Sequence, residues 1–131
     1  MEFQIETLPT VKGNSTLLKA LFGNLISNGI KYQPKDETHI AKIYIKGGEL
    51  DDRANIFVTD NGIGMKKESI KDAFTPFKRY HTKSEYKGTG LGLSICKRVM
   101  DKHDGQIKIL DPAENGTTFL LTFNKSPVAN N

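Results

Sequence analysis

The stretch "DNGIGM", Asp60 to Met65, follows the apolar run "ANIFV" and places two glycines behind an acid. One interpretation is a tight turn, since an Asn-Gly pair tolerates the positive φ that such turns need. The other is a ligand site, in which Asp60 selects the ligand and the glycines let the backbone approach it closely. The stretch alone is compatible with both, so the surrounding sequence has to decide between them.

The chain has the composition of a single globular domain. Its 131 residues are enough to bury a core, and 37% hydrophobic with 26% charged residues is typical of folded protein. The formal charge of +4 is modest and the basic residues are spread out. This suits a phosphate-bearing ligand or an acidic partner and does not indicate nucleic-acid binding. The single cysteine, Cys96, lies in an apolar-patterned stretch and is interpreted as a packed residue in a reducing compartment.

Membrane features are absent from the sequence pattern. No apolar run approaches the roughly 18 residues of a membrane span, and no signal peptide opens the chain. We therefore expect a cytoplasmic segment without direct membrane contact, which a longer parent protein could still anchor elsewhere.

Periodicity predicts a mixed α/β fold. Apolar residues at spacings of three and four predict a helix in "NSTLLKALFGNLISNGIKY", capped by Asn14 or Ser15, and another in "GLGLSICKRVMDKH". A short helix is predicted in "KKESIKDAF". Period-two patterning predicts strands in "FQIETL", "AKIYIKG", "ANIFVTD", "GQIKIL" and "GTTFLLTF", the second and third forming an antiparallel pair. These elements predict a two-layer sandwich over residues 1–124, with one mixed, mostly antiparallel sheet and about three helices on one face. Residues 125–131 are predicted to be a disordered tail.

The first long helix carries a polar stripe. Asn24, Asn28 and Lys31 stand at positions i, i+4 and i+7, so two amides and an ammonium share one side of the helix. A solvated face would explain such a stripe, but asparagine is a poor helix former. An amide oxygen is a suitable ligand for Mg²⁺, which also takes oxygens from substrate phosphates.

A glycine cluster and an irregular segment complete the candidate site. Gly88, Gly90 and Gly92 lead into the second long helix, whose free N–H groups could bind an anion. Their spacing matches neither a Walker A loop nor a dinucleotide-binding fingerprint. Residues 65–88 show little periodicity, and "KRYHTKSEYK" within them is basic. We expect either a mobile solvated loop or a flexible lid that closes over a polyphosphate.

Taken in order, the motifs resemble those of the GHKL ATPase superfamily, which has the Bergerat fold. "NLISNGIKY" resembles its N box, "DNGIGM" its G1 box, "FTPF" its F box and "GTGLGLSICKRV" its G2 box, and "GTTFLLTF" resembles its closing strand. The F box and the "KY" ending the N box are similar to those of the catalytic ATP-binding domains of sensor histidine kinases. The resemblance implies ATP and Mg²⁺ as cofactors.

The resemblance also implies roles for individual residues. Asn28 would bind the Mg²⁺ with support from Asn24, and Lys31 would reach the phosphates. Asp60 would take the adenine amine, with Gly62 and Gly64 leaving room for the base. Tyr32 would pack near the base and Thr117 would assist at it. The remaining implied contacts belong to the lid and to the glycine cluster: Phe74 and Phe77 as anchors, Arg79, Lys83 and Lys87 at the γ-phosphate, and backbone donors from Gly88, Thr89, Gly90, Leu91 and Gly92.

Two departures bear on the activity that the resemblance implies. Hydrolysing members of the superfamily have a glutamate where this chain has Asn24, and an amide cannot act as a general base. Gly29 stands where members more often have alanine, which we interpret as affecting stability only.

None of the three histidines has the context of a phosphoacceptor. The resemblance therefore implies transfer of phosphate to a histidine on a separate domain of a homodimeric parent kinase, with a response regulator downstream. Two alternatives stay open: a non-catalytic nucleotide-binding signalling module, and a serine kinase of the anti-sigma-factor type.

Overall fold

The computed structural model describes residues 1–75, 92–110 and 116–124. Within these ranges the elements are β1 (Glu2–Ile5), α1 (Ser15–Lys31), β2 (Lys42–Leu50), β3 (Arg53–Asp60), α2 (Lys67–Ile70), α3 (Gly92–Lys102), β4 (Gln106–Ile109) and β5 (Thr117–Asn124). The predicted tail at 125–131 and most of the predicted lid lie outside the described residues. Among the helices that are described, none has the length and apolarity needed to cross a bilayer.

The five strands form one sheet in the order β1-β2-β3-β5-β4. β1 runs parallel to β2, whereas the β2–β3, β3–β5 and β4–β5 pairs are antiparallel. β2 and β3 are joined directly through Asp51 and Asp52, so the predicted antiparallel pair is a hairpin. The prediction of a mixed, mostly antiparallel sheet is confirmed.

The core lies between the helices and one face of the sheet. Alternate strand residues are buried on that face: Ile43, Ile45, Ala54, Ile56, Val58, Ile107, Phe119, Leu121 and Phe123. Leu21 and Leu25 of α1 and Val99 and Met100 of α3 cover them. Cys96 is also fully buried, with its Sγ 3.7 Å from the Leu21 carbonyl oxygen, which confirms its packing role. The predicted two-layer sandwich is therefore confirmed.

Contacts at the start of α1 fix the two long helices to each other. Asn14 is the N-cap, because its Oδ1 accepts a hydrogen bond from the Leu17 N–H at 3.0 Å. His103, just after α3, donates from Nδ1 to the Val99 carbonyl oxygen at 2.8 Å and accepts from the Asn14 N–H on Nε2 at 3.0 Å. Nε2 needs its lone pair for this contact, so the imidazole is neutral with its proton on Nδ1.

The opposite end of α1 lies where two neighbouring strands meet. α1 ends at Lys31, with Tyr32 as its C-cap. β3 ends at Asp60, which is paired in register with Thr117, the first residue of β5. The end of α1, the end of β3 and the start of β5 therefore converge, and four of the predicted site residues lie there: Lys31, Tyr32, Asp60 and Thr117.

Candidate functional site

The loop after β3 is fastened to the end of α1. The Ile63 N–H donates to the Tyr32 carbonyl oxygen at 2.9 Å, and the Asn61 N–H donates to the Lys42 carbonyl oxygen at 3.3 Å. These bonds hold the "DNGIGM" stretch against the segment that joins α1 to β2. The loop is thus a packed part of the fold and not an exposed turn.

Asp60 carries a largely buried carboxylate at this junction. The Gly62 N–H donates to its Oδ1 at 2.8 Å, and the Thr117 N–H donates to the same carboxylate. Burial raises the pKa of Asp60 to about 6, while these two backbone hydrogen bonds act to lower it. Desolvation is the larger effect, yet at neutral pH the group is still mainly ionised. A fixed carboxylate in an apolar setting is a strong acceptor for a ligand N–H donor.

Gly62 explains why the stretch needs a glycine directly after Asn61. A Cβ on Gly62 would overlap the Tyr32 carbonyl oxygen and would lie 2.9 Å from Oδ1 of Asp60. The positive φ in this stretch belongs to Gly64, at 79°, and not to Asn61 or Gly62. The tight-turn interpretation of the Asn-Gly pair is therefore wrong. At Gly62 the close approach is to the protein's own chain, and approach of these glycines to a ligand stays a prediction.

Gly116 supports the acid from the other side. Its φ is 96°, and a Cβ there would overlap the Asp60 carbonyl oxygen. In the sequence, Gly116 has only the signature of a turn residue before β5. It lies close to Asp60 because β5 pairs with β3, and the sequence pattern does not reveal which strands pair.

Gly29 also belongs to the surroundings of Asp60. A Cβ on this buried glycine would lie 3.1 Å from the Asp60 Cβ and 3.4 Å from its Oδ2, and 2.7 Å from the terminal methyl of Ile43. The interpretation of Gly29 as a residue of stability alone is too narrow, because its missing side chain lets α1 pack directly against the acid. One sequence signal could have indicated this packing: Gly29 lies in the buried stripe of the helix, one position after the candidate metal ligand Asn28.

The polar stripe of α1 faces the start of α3. Asn24 donates from Nδ2 to the Ala20 carbonyl oxygen at 2.9 Å, which leaves its Oδ1 close to Gly92, where a Cβ would lie 3.3 Å away. Asn28 is half-buried, and its side chain makes no hydrogen bond with any other residue that the structure describes. Lys31 is exposed, with its ammonium 5.9 Å from the centroid of the Tyr32 ring. The fold therefore brings the N-box stripe and the last glycine of the cluster together.

The donor chemistry of this stripe restricts the metal that it could hold. In residues 1–75, 92–110 and 116–124 no group of three or more His, Cys, Asp or Glu side chains is placed to bind a metal ion. A half-buried amide oxygen on Asn28 fits Mg²⁺ as one protein ligand of an ion whose other ligands are waters and phosphate oxygens. It does not fit a metal held by the protein alone, such as structural zinc.

Several predicted site residues cannot be placed. Phe74 is described, and it is partly buried against the core. The others lie outside the described residues and stay predictions: Phe77, Arg79, Lys83, Lys87, Gly88, Thr89, Gly90 and Leu91.

Comparison with known proteins identifies the family. A family model described as histidine kinase-, DNA gyrase B- and HSP90-like ATPase matches residues 13–127. The chain belongs to this family.

Its similarity is to histidine kinases within the family. The chain is 37% identical over 129 residues to the phytochrome-like protein Cph1 of Synechocystis, covering 98% of this chain and 16% of that protein. The mycobacterial sensor histidine kinase MprB has a TM-score of 0.78 and 27% identity, covering 94% of this chain and 82% of that one. Histidine kinase ThkA, solved in complex with the response regulator TrrA, has a TM-score of 0.71 and 25% identity, covering 98% and 35%.

These findings confirm the resemblance to the catalytic ATP-binding domains of sensor histidine kinases and to their Bergerat-like fold. The chain spans only about a sixth of the length of Cph1, at 16%.

Proposed function

We propose that this chain binds Mg·ATP between α1, the loop after β3 and the start of α3, and donates the γ-phosphate to a histidine on a separate domain of its parent kinase. The observation that carries the proposal is the Asp60 carboxylate. It is largely buried, held by backbone N–H groups, and packed against Gly29, the residue that follows Asn28 in α1. It has no charged partner among the described residues, and a buried carboxylate whose charged form is disfavoured in this way is a candidate functional group.

Asp60 would select the base. Its Oδ1 accepts from the Gly62 N–H, so the remaining acceptor capacity of the carboxylate is available to the exocyclic amine of adenine. A base with a carbonyl oxygen at that position would face the carboxylate with a second acceptor and would be rejected. Thr117 is paired directly with Asp60 in the sheet and would assist at the base.

Asn28 and Lys31 would act on the phosphates. The Asn28 amide oxygen would hold Mg²⁺, which when bound neutralises phosphate charge and orients the γ-phosphoryl group. The Lys31 ammonium, on the next turn of α1, would add positive charge. Phosphoryl transfer needs mainly positioning and charge neutralisation from the protein. The acceptor imidazole nitrogen would form the new P–N bond as the bond from the γ-phosphorus to ADP breaks.

Asn24 would help to keep the nucleotide from hydrolysis. An amide cannot take a proton from water, and its nitrogen is already committed to the Ala20 carbonyl oxygen. This favours transfer to a protein acceptor over ATPase chemistry. Since ThkA has been solved with a response regulator, we propose a response regulator as the downstream partner of the parent protein, which would be a cytoplasmic or membrane-anchored homodimer.

Calorimetric titration with ATP, with and without Mg²⁺, tests the binding step. The wild type should bind in an Mg-dependent manner. Asp60→Asn should bind at least about tenfold more weakly, since a hydrogen bond to a charged group contributes about 1.5–3 kcal/mol. Asp51→Asn is the matched control, because Asp51 lies exposed at the other end of β3 and should leave affinity unchanged. Equal affinities for wild type and Asp60→Asn would contradict the proposal.

Phosphorylation of the parent kinase's histidine domain, supplied separately, tests the transfer step. The product should be labile in acid, as phosphohistidine is, and Asn28→Ala should abolish its formation. An acid-stable product would indicate serine phosphorylation instead. Undiminished transfer by Asn28→Ala would rule out the assigned role of Asn28.

A further inference from the structure

Asn61, next to Asp60, uses both ends of its side-chain amide on one backbone segment. Its Oδ1 accepts from the Lys42 N–H at 2.7 Å, and its Nδ2 donates to the Ile40 carbonyl oxygen at 2.9 Å. Its own backbone N–H donates to the Lys42 carbonyl oxygen at 3.3 Å. Three hydrogen bonds thus hold this residue of the loop after β3: one to Ile40 in the connection between α1 and β2, and two to Lys42, the first residue of β2.

That connection is itself tied to the end of α1. Gln33 donates from Nε2 to the Gly29 carbonyl oxygen at 2.6 Å, and its Oε1 lies 2.6 Å from Nε2 of His39. Since an amide oxygen can only accept, His39 is the donor in this bond. The connection that Asn61 contacts is therefore anchored to the last turn of α1, where Gly29 packs against Asp60.

Asn61 directly precedes the residue whose N–H orients Asp60. Oδ1 of Asp60 is held by the N–H of Gly62, the residue that directly follows Asn61. A rotation of the chain at Asn61 would turn this N–H away and would leave the carboxylate held by the Thr117 N–H alone. Without the side-chain bonds to Ile40 and Lys42, only backbone contacts would resist that rotation.

We infer that Asn61 is a positioning residue for recognition of the base: it fixes the loop so that Asp60 presents its carboxylate to the exocyclic amine. This inference rests on the proposed function. The role requires a donor and an acceptor on one short planar group. Aspartate at this position would keep the acceptor for the Lys42 N–H but would place a second acceptor against the Ile40 carbonyl oxygen.

The test compares binding of ATP with binding of inosine triphosphate, which has a carbonyl oxygen in place of the amine. The ratio of the two dissociation constants reports the contact with Asp60, whereas general destabilisation weakens both nucleotides alike. Asn61→Ala should weaken ATP binding about tenfold, equivalent to about 1.4 kcal/mol, and change inosine triphosphate binding by less than about twofold. Asn61→Asp should likewise reduce the preference for ATP over inosine triphosphate.

Asn55→Ala is the matched control. Asn55 lies on β3, five residues before Asp60, and its side-chain oxygen accepts a hydrogen bond from the Thr122 hydroxyl at 3.0 Å. It should leave the ratio at the wild-type value even where it lowers the melting temperature. Circular dichroism at the temperature of titration selects variants that are folded, and Asn61→Asp serves if Asn61→Ala does not fold.

The outcomes separate the inference from the proposed function. A wild type that does not prefer ATP over inosine triphosphate would overturn both. Two outcomes would overturn the role of Asn61 alone. Either the wild-type preference for ATP survives in Asn61→Ala and Asn61→Asp, or these variants lose affinity for both nucleotides equally.

Discussion

The two ends of strand β3 both carry acidic residues, but the fold treats them in opposite ways. At its start, Asp51 and Asp52 form the exposed turn of the β2–β3 hairpin, and Asp51 has a left-handed φ of 56°. At its end, Asp60 is largely buried and is held by the N–H groups of Gly62 and Thr117.

The difference shows that a buried carboxylate requires more of the fold than an acidic residue in a hairpin turn does. A hairpin turn needs a short polar connection and one residue that tolerates left-handed backbone. Asp60 needs three chain segments packed around it, because its charge is removed from water and must be compensated by oriented backbone dipoles. Glycines at the Asp60 end therefore serve packing, whereas Gly48 at the hairpin end has no neighbouring atom within 4 Å of a would-be Cβ.

The largest effect should come from alanine at Gly62. The overlapping atom is the backbone oxygen of Tyr32, which cannot move without losing its hydrogen bond from Ile63. Gly62→Ala should lower the free energy of unfolding by about 3 kcal/mol or more, measured by urea titration. Gly48→Ala should change it by less than about 0.5 kcal/mol. Equal changes at the two positions would contradict the contrast between the two ends of β3.

The pH dependence of stability should reveal the burial of Asp60. Its pKa in the fold, about 6, lies above the ordinary value of 3.8. Stability from this group is therefore present below pH 3.8 and is lost as pH rises through 6. Between pH 4 and 7, wild type should lose up to about 3 kcal/mol relative to Asp60→Asn in urea titrations without nucleotide. A difference between the two proteins that does not change with pH, or one that shifts in favour of wild type as pH rises, would contradict the burial of this charge.

The smallest effect should come from alanine at Gly29. The Ile43 methyl can rotate away from a new Cβ, and alanine gains helix propensity, so stability should change by less than about 1 kcal/mol. Asp60 must shift by a few tenths of an ångström, and ATP affinity should fall a few-fold in calorimetry.

Gly23→Ala is the control for Gly29→Ala. Gly23 lies on the same helix, and no atom lies within 4 Å of a Cβ built there. The variant should therefore have a free energy of unfolding higher by about 0.5–1 kcal/mol and bind ATP with wild-type affinity. Identical affinities for the two alanine variants would restore the interpretation of Gly29 as a residue of stability alone.

Much of the fold was predictable because its elements are strongly periodic. The apolar spacing in α1 and α3 and the alternation in β2 and β3 are local patterns, and the observed elements follow them. The parallel pairing of β1 with β2 was not predictable in this way. It connects Glu2 to Lys42 across the whole of α1, and period-two patterning carries no information on a strand's partner or direction.

The candidate site, too, was predictable from the sequence only in part. The order of motifs along the chain by itself determined the family and named Asp60, Asn24 and Asn28 as chemistry-bearing residues. Only the tertiary structure decided the raised pKa of Asp60, the reason for Gly62 and the proximity of Gly29 and Gly116. The physical reason is that desolvation and close contact depend on segments that are distant in sequence: Gly29 and Gly116 reach Asp60 only when α1 and β5 pack on β3.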